Sequence, residues 1–417
     1  MKQKYFFAII TPFLLTISVQ AASLQGLSAL GESVWPADAA TVGRGMAGSA
    51  LTNEGYSFVN PARTAFETKT RFFAAVEYQG VYTTQGSESI GRDRFDLSTI
   101  GLSIPMGQWG ALGVGYSQRF VQSFHAEMTN ADGNKVIVDQ AGSLYEMQPT
   151  YAVRLPATLR FISLGAAWHF PMGRSTNTLK TSLDSSSLDS HNQEILKNIV
   201  VQDQLTGKWG VEDQGYPSFS IQMHRKSTDF FVSAARSYTL TRTLSQAAQI
   251  SAVDTVGASE WQQSFDFPWQ FGTGFSIRPT KLQSISMDFF QSRLNGSAQT
   301  GLDWAGMPAT FRFSSAERIL ALGWQKDGTG LFFDSFVQRN TFRAGAWARS
   351  WYLEKVTEFA GALGYGTPLG KRGAELDLGV YGGIRTFETP ETGREAFWGI
   401  KLGFTGIGAW GESSRRR

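Results

Sequence analysis

The sequence predicts an all-β fold: a fourteen-stranded antiparallel transmembrane β-barrel with an N-terminal plug inside its lumen. Three observations predict it. Long segments alternate apolar with polar residues, every second connection between them is tight, and the residues ahead of the first segment are apolar without being strand-like.

The alternation is plainest from Phe265. Phe265, Phe267, Trp269, Phe271, Thr273, Phe275 and Ile277 interleave with Asp266, Pro268, Gln270, Gly272, Gly274, Ser276 and Arg278. Successive side chains leave a pleated strand on opposite sides, so this stretch reads as one strand with an apolar and a polar face. Strands of soluble sheets run about five or six residues, whereas a tilted strand crossing a bilayer needs about nine to eleven. Pro268 has no N–H to give, so the ladder must be irregular there. A long strand of a soluble sandwich or propeller is the competing reading of this stretch taken alone.

The N-terminus places the chain in the cell envelope. Met1-Lys2-Gln3-Lys4 precedes an apolar run from Tyr5 to Val19 and the small-residue ending Val19-Gln20-Ala21. That is the layout of a secretory signal peptide, here 1–21 with cleavage after Ala21. The chain has no cysteine, which excludes a lipid-anchored cysteine at the cut and suits an oxidising compartment. After the signal no run of about eighteen apolar residues remains, so a helical membrane protein is excluded. Mean hydropathy is −0.18 although aromatic residues make up 13% of the chain, a combination expected when each strand gives half its residues to a polar lumen and half to lipid. A formal charge of +3 gives no sign of a nucleic-acid surface, and Arg415-Arg416-Arg417 reads as part of a solvated tail.

Strand-like segments fall at 70–80, 94–104, 111–123, 144–155, 160–170, 216–226, 229–242, 261–278, 282–294, 312–326, 330–350, 356–366, 374–385 and 395–407. The tight connections 105–110, 156–158, 226–228, 279–281, 326–330 and 368–373 are rich in Pro, Gly and Asp, which supply hairpin backbone angles. Between them lie mostly longer polar connections at 81–93, 124–143, 171–215, 243–260, 295–311, 351–355 and 386–394. Short turns on the periplasmic side and longer loops outside give this parity in outer-membrane barrels, and soluble sandwiches have no reason to keep it. Ala396, Trp398, Ile400, Leu402 and Phe404 are expected against lipid, and Phe397, Gly399, Lys401, Gly403 and Thr405 in the lumen. Likewise Ile162, Leu164, Ala166 and Trp168 face out while Ser163, Gly165, Ala167 and His169 face in. A bend is expected near Arg339 and Asn340.

Several inward positions are glycine: Gly101, Gly113, Gly115, Gly165, Gly272, Gly274, Gly379 and Gly403. Interior glycine weakens a strand unless a bend or another backbone's close approach requires it. Residues 22–69 are too apolar for a free tail. Folding them into the lumen would bury that surface and account for the glycines.

The run Gly43 to Gly48, followed by Asn60-Pro61-Ala62 just before the first strand, resembles the N-terminal hatch of the FadL family of outer-membrane transporters for long-chain fatty acids and aromatic hydrocarbons. The segment count and the 269–290 and 397–410 regions are also similar to that family. The resemblance implies a hatch at 22–69, a barrel at 70–410 and a polar tail at 411–417, with Gly43, Gly45, Asn60, Pro61 and Ala62 as the hatch motif. It implies passive uptake of a hydrophobic small molecule and a lateral opening at an inward kink, placed by position in the third strand near Gly113 and Gly115. The chain departs from many outer-membrane barrels in that Trp410 is followed by further residues, so it does not end on an aromatic. Related barrels also act as shuttles in protein secretion, which is the alternative function.

The remaining constellations are weaker. His125, His169, His191 and His224 lack metal-ligand spacing, and no elbow, P-loop or zincin motif occurs, so neither a metal, a cofactor nor an enzymatic activity is expected. In 171–215 the serine-rich run from Ser182 to Ser190 precedes Ile195, Leu196, Ile199, Val200 and Leu205 at near-helical spacing, either an amphipathic lid over a docking groove or a cap on the barrel mouth. Phe58, Phe66, Arg154 and Trp209 are candidate ligand-pocket residues, with girdle or plug packing as the alternative for the aromatics. Arg154, Lys401 and Arg385 face inward beside Glu146, Glu375 and Asp377, as lumen ion pairs or as a clamp for an anionic head group. The expected setting is a diderm outer membrane, with lipids, a hydrophobic ligand and the barrel-assembly machinery as partners and the protein acting as a monomer.

Overall fold

The structure, a computed structural model, describes residues 30–52, 54–85, 88–129, 135–182, 200–211, 214–250, 253–295, 299–302, 308–331, 333–369, 374–387 and 393–408. The signal peptide, residues 22–29, the run 183–199 with His191, Ile195, Leu196 and Ile199, and 409–417 with Trp410 lie outside the described residues.

β2 (Thr70–Gln85), β3 (Glu88–Pro105), β4 (Ala111–Thr129), β5 (Lys135–Arg154) and β6 (Ile162–Ser182) run up and down as sequential neighbours. The next three wall positions are each built of two strands in line: β7 (Val200–Val211) leads into β8 (Tyr216–Arg225), β9 (Thr228–Ala235) into β10 (Tyr238–Ile250), and β11 (Val253–Phe267) into β12 (Gln270–Thr280). β13 (Gln283–Arg293), β16 (Ala316–Lys326), β17 (Thr341–Ser350), β18 (Val356–Leu369), β19 (Ala374–Phe387) and β20 (Gly393–Gly408) complete the sheet. β20 pairs with β2 from Thr70↔Gly408 to Gln85↔Gly393 and closes the cylinder. With each in-line pair counted once, the wall is a 14-stranded antiparallel barrel. β1 (Glu32–Ser33) attaches to β4 from inside, and β14 (Gln299–Leu302) with β15 (Pro308–Phe311) forms a separate hairpin.

Alternation sets the faces. Trp398, Ile400, Leu402 and Phe404 are exposed on the outside, whereas Phe397 and Lys401 are buried within. Leu164 and Trp168 face out, and Ser163 and His169 face in. Among the described residues no helix is long and apolar enough to cross a membrane.

The stretch from Phe265 to Ile277 is not one face. Phe265 and Phe267 are buried in the lumen, while Trp269, Phe271 and Phe275 face outward. Residues 268–269 belong to no strand, and the irregularity at Pro268 inverts the phase. The phase is likewise inverted between inward Trp209 of β7 and inward Tyr216 of β8, and at 236–237, between inward Ala235 and inward Leu240. Three adjacent wall strands are therefore broken at one level.

Other expectations are corrected. The strands run further at the end away from the tight turns, so the connections expected at 81–93 and 124–143 are largely ladder. The predicted loop 171–215 contains the end of β6 and all of β7, which places Val200 and Leu205 in a strand instead of a helix. β6, β7 and β10 satisfy one another's backbone groups there with mostly polar side chains, so no apolar alternation advertised the strands. The segment 330–350 is strand only from Thr341; before it stands α2 (Phe336–Arg339), with the turn at Asn340. The segment expected from 312 begins at Ala316.

Residues 30–52 and 54–66 lie within the cylinder. α1 (Ala39–Gly43), capped by Asp38, whose carboxylate accepts from the Thr41 N–H at 2.6 Å, packs on the inner faces of β17 to β20. A 3₁₀ turn, Pro61–Phe66, packs on β4, β5, β6 and β8. Backbone meets backbone at both contacts. A Cβ on Gly345 would collide with the Arg44 carbonyl, and one on Gly165 with the Ala62 nitrogen. Gly379 and Gly403 lie against Ala39, and Gly113 and Gly115 against Tyr56. Gly101, Gly272 and Gly274 instead make room for wall side chains, Phe73, Phe290 and Phe231.

Candidate functional site

The wall is split between its second and third strands. β3 and β4 pair only from Thr99↔Ser117 to Pro105↔Ala111; beyond that β3 follows β2 as far as Glu88, and β4 follows β5. The N-terminal segment lies in the gap, with Glu32 opposite Val121 and Ser33 opposite Phe120, and the Val34 N–H donates to the Arg119 carbonyl at 2.8 Å. The Glu32 carboxylate takes Arg94 of β3 at 2.9 Å and Arg385 of β19 at 2.8 Å. Burial pushes this carboxyl upward, but Arg94 and Arg385 overcome that and hold it below the usual range. Glu32 thus ties the segment, paired with one lip of the split, to the other lip.

Beside the split is a cavity of about 80 Å³ between Val34, Trp35, Phe58 and Val59 of the segment and Phe120, Tyr238, Phe267, Gly272 and Phe290 of the wall. Arg119 and Glu317 also line it, the Glu317 carboxylate being paired with Arg349. Glu146 and Glu317 are the carboxylates that act on Arg119, yet among the described residues its guanidinium makes no hydrogen bond or ion pair. A guanidinium on a mostly apolar cavity is suited to an anionic oxygen.

The far side of the cavity is the level at which the three strands break, and a ladder of rings spans it. His169 stacks on Tyr216 at 4.4 Å, Tyr216 on Tyr238 at 3.8 Å, and Tyr238 on Phe267 at 4.8 Å, all within 7° of parallel. Glu146 anchors one end, accepting from His169 Nδ1 at 2.9 Å and from the Tyr216 hydroxyl at 2.6 Å. Above the ladder the bore is closed by apolar packing of Trp351, Tyr352 and Leu353 against Leu30, Phe120, Trp209 and Phe265. The Tyr352 hydroxyl donates to the Gly31 carbonyl, and the Ser314 N–H to the Tyr352 carbonyl at 2.7 Å.

The residues singled out in the sequence are distributed through the bore. Gly43 meets Gly364, and Gly45, at φ +65°, meets Gly345. The Asn60 amide donates to the Ser49 carbonyl at 2.9 Å and to Gln222 at 2.7 Å. Pro61 opens the 3₁₀ turn, while the Ala62 N–H donates to Ser220 and its carbonyl accepts from Ser163. Gly113 and Gly115 lie in the paired part of β3–β4, below the split. Of the four pocket candidates, Phe58 lines the cavity, Trp209 sits in the apolar closure under Arg242, and Phe66 and Arg154 come together at the tight-turn end, the guanidinium 4.6 Å from the ring. Lys401 pairs with Glu77, Arg385 with Glu32, Glu358 and Glu395, and Arg343 with Glu375 and Asp377. His169 and His224 each face one carboxylate, and no metal-holding cluster occurs among the described residues.

Arg119, Glu32 and the Tyr216–Tyr238 pair went unnoticed in the sequence. Arg119 sits at the register shift between Gln118 and Phe120, which takes it out of the alternation. A cation between two residues that both turn inward was the signal available.

A model of the family described as BamG matches residues 1–415. No curated protein matches the chain. Among solved structures, a Pseudomonas aeruginosa FadL homologue shares 12% identity over 90% of this chain and 98% of its own, with a TM-score of 0.55. The Pseudomonas putida toluene transporter TodX shares 10% over 91% and 99%, at 0.57. The Ralstonia pickettii toluene transporter TbuX shares 11% over 89% and 98%, at 0.52. At such identities the likeness is one of fold.

Proposed function

The chain belongs to the BamG family and is a FadL-like outer-membrane β-barrel; from that premise we propose that it passes hydrophobic small molecules across the outer membrane without an energy source, residues 22–69 acting as its hatch. The observation that carries this reading is the split between β3 and β4 beside a largely apolar cavity, with Glu32, Ser33 and Val34 of the segment bound to β4 in the gap. A ligand would shed water in the cavity and leave through the split as Glu32 and Ser33 part from β4. With about 80 Å³ available, the cavity takes only one end of a long chain, so passage requires the segment to shift. Arg119 favours an anionic amphiphile such as a fatty acid over a neutral hydrocarbon.

The test uses the absence of native cysteine. A Ser33→Cys/Phe120→Cys pair, oxidised, should abolish uptake of a labelled long-chain fatty acid into proteoliposomes, and reduction should restore it. Equal uptake by the locked and reduced forms would sink passage through the split.

The apolar closure at Trp351, Tyr352 and Leu353 favours a second reading, a barrel whose far end holds a protein client and conducts nothing. A wild-type barrel that takes up no ligand and copurifies with a folded client would support it.

A further inference from the structure

The connection between β16 and β17, residues 327–340, carries a folded apolar knob at the tight-turn end of the barrel. Its backbone is held. The Thr329 N–H donates to the Gln338 carbonyl at 2.9 Å, the Lys326 ammonium to the Val337 carbonyl at 2.7 Å, and the Ser335 hydroxyl to Gln338 at the start of α2. Its large apolar side chains are nonetheless uncovered: Leu331, Phe336 and Val337 are about half exposed and Phe333 is 85% exposed. Leaving such side chains in water forgoes the stabilisation that burial of apolar surface supplies.

The position of the knob identifies what covers it. Phe336 stacks on Tyr365, 5.9 Å away and 15° from parallel, and meets Phe342 at 6.4 Å. Phe342 and Tyr365 are register partners, and the outward row of β18 that contains Tyr365 continues into Leu363 and Phe359 of the lipid-facing belt. α2 therefore folds back along the outside of the cylinder and extends the belt. Lys326, whose ammonium lies 5.7 Å from the Phe342 ring centroid, follows the exposed Trp324 on the outward row of β16. An aromatic residue followed by a cation marks the depth of the headgroups.

We propose that Leu331 and residues 333–337 form an interfacial anchor, with Phe333, Phe336 and Val337 seated at the acyl-chain boundary of the phospholipid leaflet around the tight-turn end. Burial of that apolar face fixes the depth and tilt of the barrel on the β16–β18 side.

Single-cysteine variants carrying a nitroxide test this in nanodiscs of phosphatidylethanolamine and phosphatidylglycerol. Phe333→Cys and Val337→Cys report on the knob, Leu363→Cys on the belt, and Glu260→Cys, exposed on β11, on water; heat-shifted gel migration verifies each barrel. Labels at 333 and 337 should collide with oxygen several-fold more than with a water-soluble nickel chelate, as at 363 and opposite to 260. Nickel-dominated collision at both knob positions would overturn the anchor. So would protection from nickel that appears only when periplasmic extract is added, which would assign the knob to a protein partner.

Discussion

Tyr216 and Tyr238 lie face to face, 3.8 Å apart and 2° from parallel, although each stands at the break of its own wall strand. With no continuous ladder there, the rings bridge what the backbone leaves open. A Tyr216→Leu/Tyr238→Leu double-mutant cycle should give a coupling of about 0.5–1.5 kcal/mol beyond the area lost. The same cycle on Tyr216 and Trp398, an outward ring on β20 that shares no contact with it, should give almost none. Unfolding midpoints in detergent, read by gel migration, would show it.

The N-terminal segment inside the barrel should loosen in acid. Arg44 holds the Glu54 carboxylate at 3.0 Å; burial raises this carboxyl, but Arg44, Arg343 and Arg63 outweigh it and bring it down to about 2. A depressed carboxyl contributes stability above its ordinary value of 4.5 and loses that contribution as the pH falls towards about 2. Protection of residues 40–52 from hydrogen exchange, taken relative to the intrinsic rate at each pH, should fall across that interval, and Glu54→Gln should flatten the profile. Glu67, raised by burial, works in the opposite sense and keeps the loss partial.

Close approach of backbones makes Gly345 intolerant of a side chain. Gly345→Ala would drive a methyl group into the Arg44 carbonyl, at a cost of about 1–3 kcal/mol. Gly361→Ala, with nothing nearer than 3.9 Å, should be neutral or slightly stabilising. Trypsin should cut at Arg44 and Arg63 in the first variant and spare the second, with both barrels intact.

Much of this architecture was legible because burial on one side of a strand forces a period of two. Trp398 to Phe404 betrays its outward face for that reason, and the phase survives wherever the ladder is regular. It fails at Pro268, where two strands in line look like one and inward Phe265 and Phe267 share the parity of outward Trp269. It fails again in β7, which pairs beyond the apolar belt and has no reason to alternate. Asn60-Pro61-Ala62 stood out as a local motif, but its partners Ser163, Ser220 and Gln222 are over a hundred residues away and carry no mark. Arg119 and Glu32 were hidden by the same long-range assembly: a register shift places one, and a partner on β19 defines the other.

The lone guanidinium of Arg119 should set preference by charge. Removing it forfeits charge-assisted hydrogen bonds of about 1.5–3 kcal/mol to a bound anion. Arg119→Gln should therefore weaken binding of a labelled fatty acid by roughly ten- to a hundredfold and leave toluene binding unchanged. Equal losses for both would mean that the side chain only shapes the cavity.

Glu32 should act as the latch of the split. Glu32→Gln removes the charge that faces Arg94 and Arg385, but Arg94 keeps Asp96, and Arg385 keeps Glu358 and Glu395. The cost should therefore be about 1.5–3 kcal/mol instead of the about 3–5 kcal/mol of a buried charge left wholly unpaired. Asp377→Asn, which breaks the Arg343 pair elsewhere in the lumen, gives a comparable loss without touching the split. If Glu32 latches the lips, entry of a hydrophobic fluorescent dye into cells should rise several-fold in Glu32→Gln and stay at the wild-type level in Asp377→Asn. An equal rise in both would trace the leak to general loosening of the segment and remove Glu32 from that role.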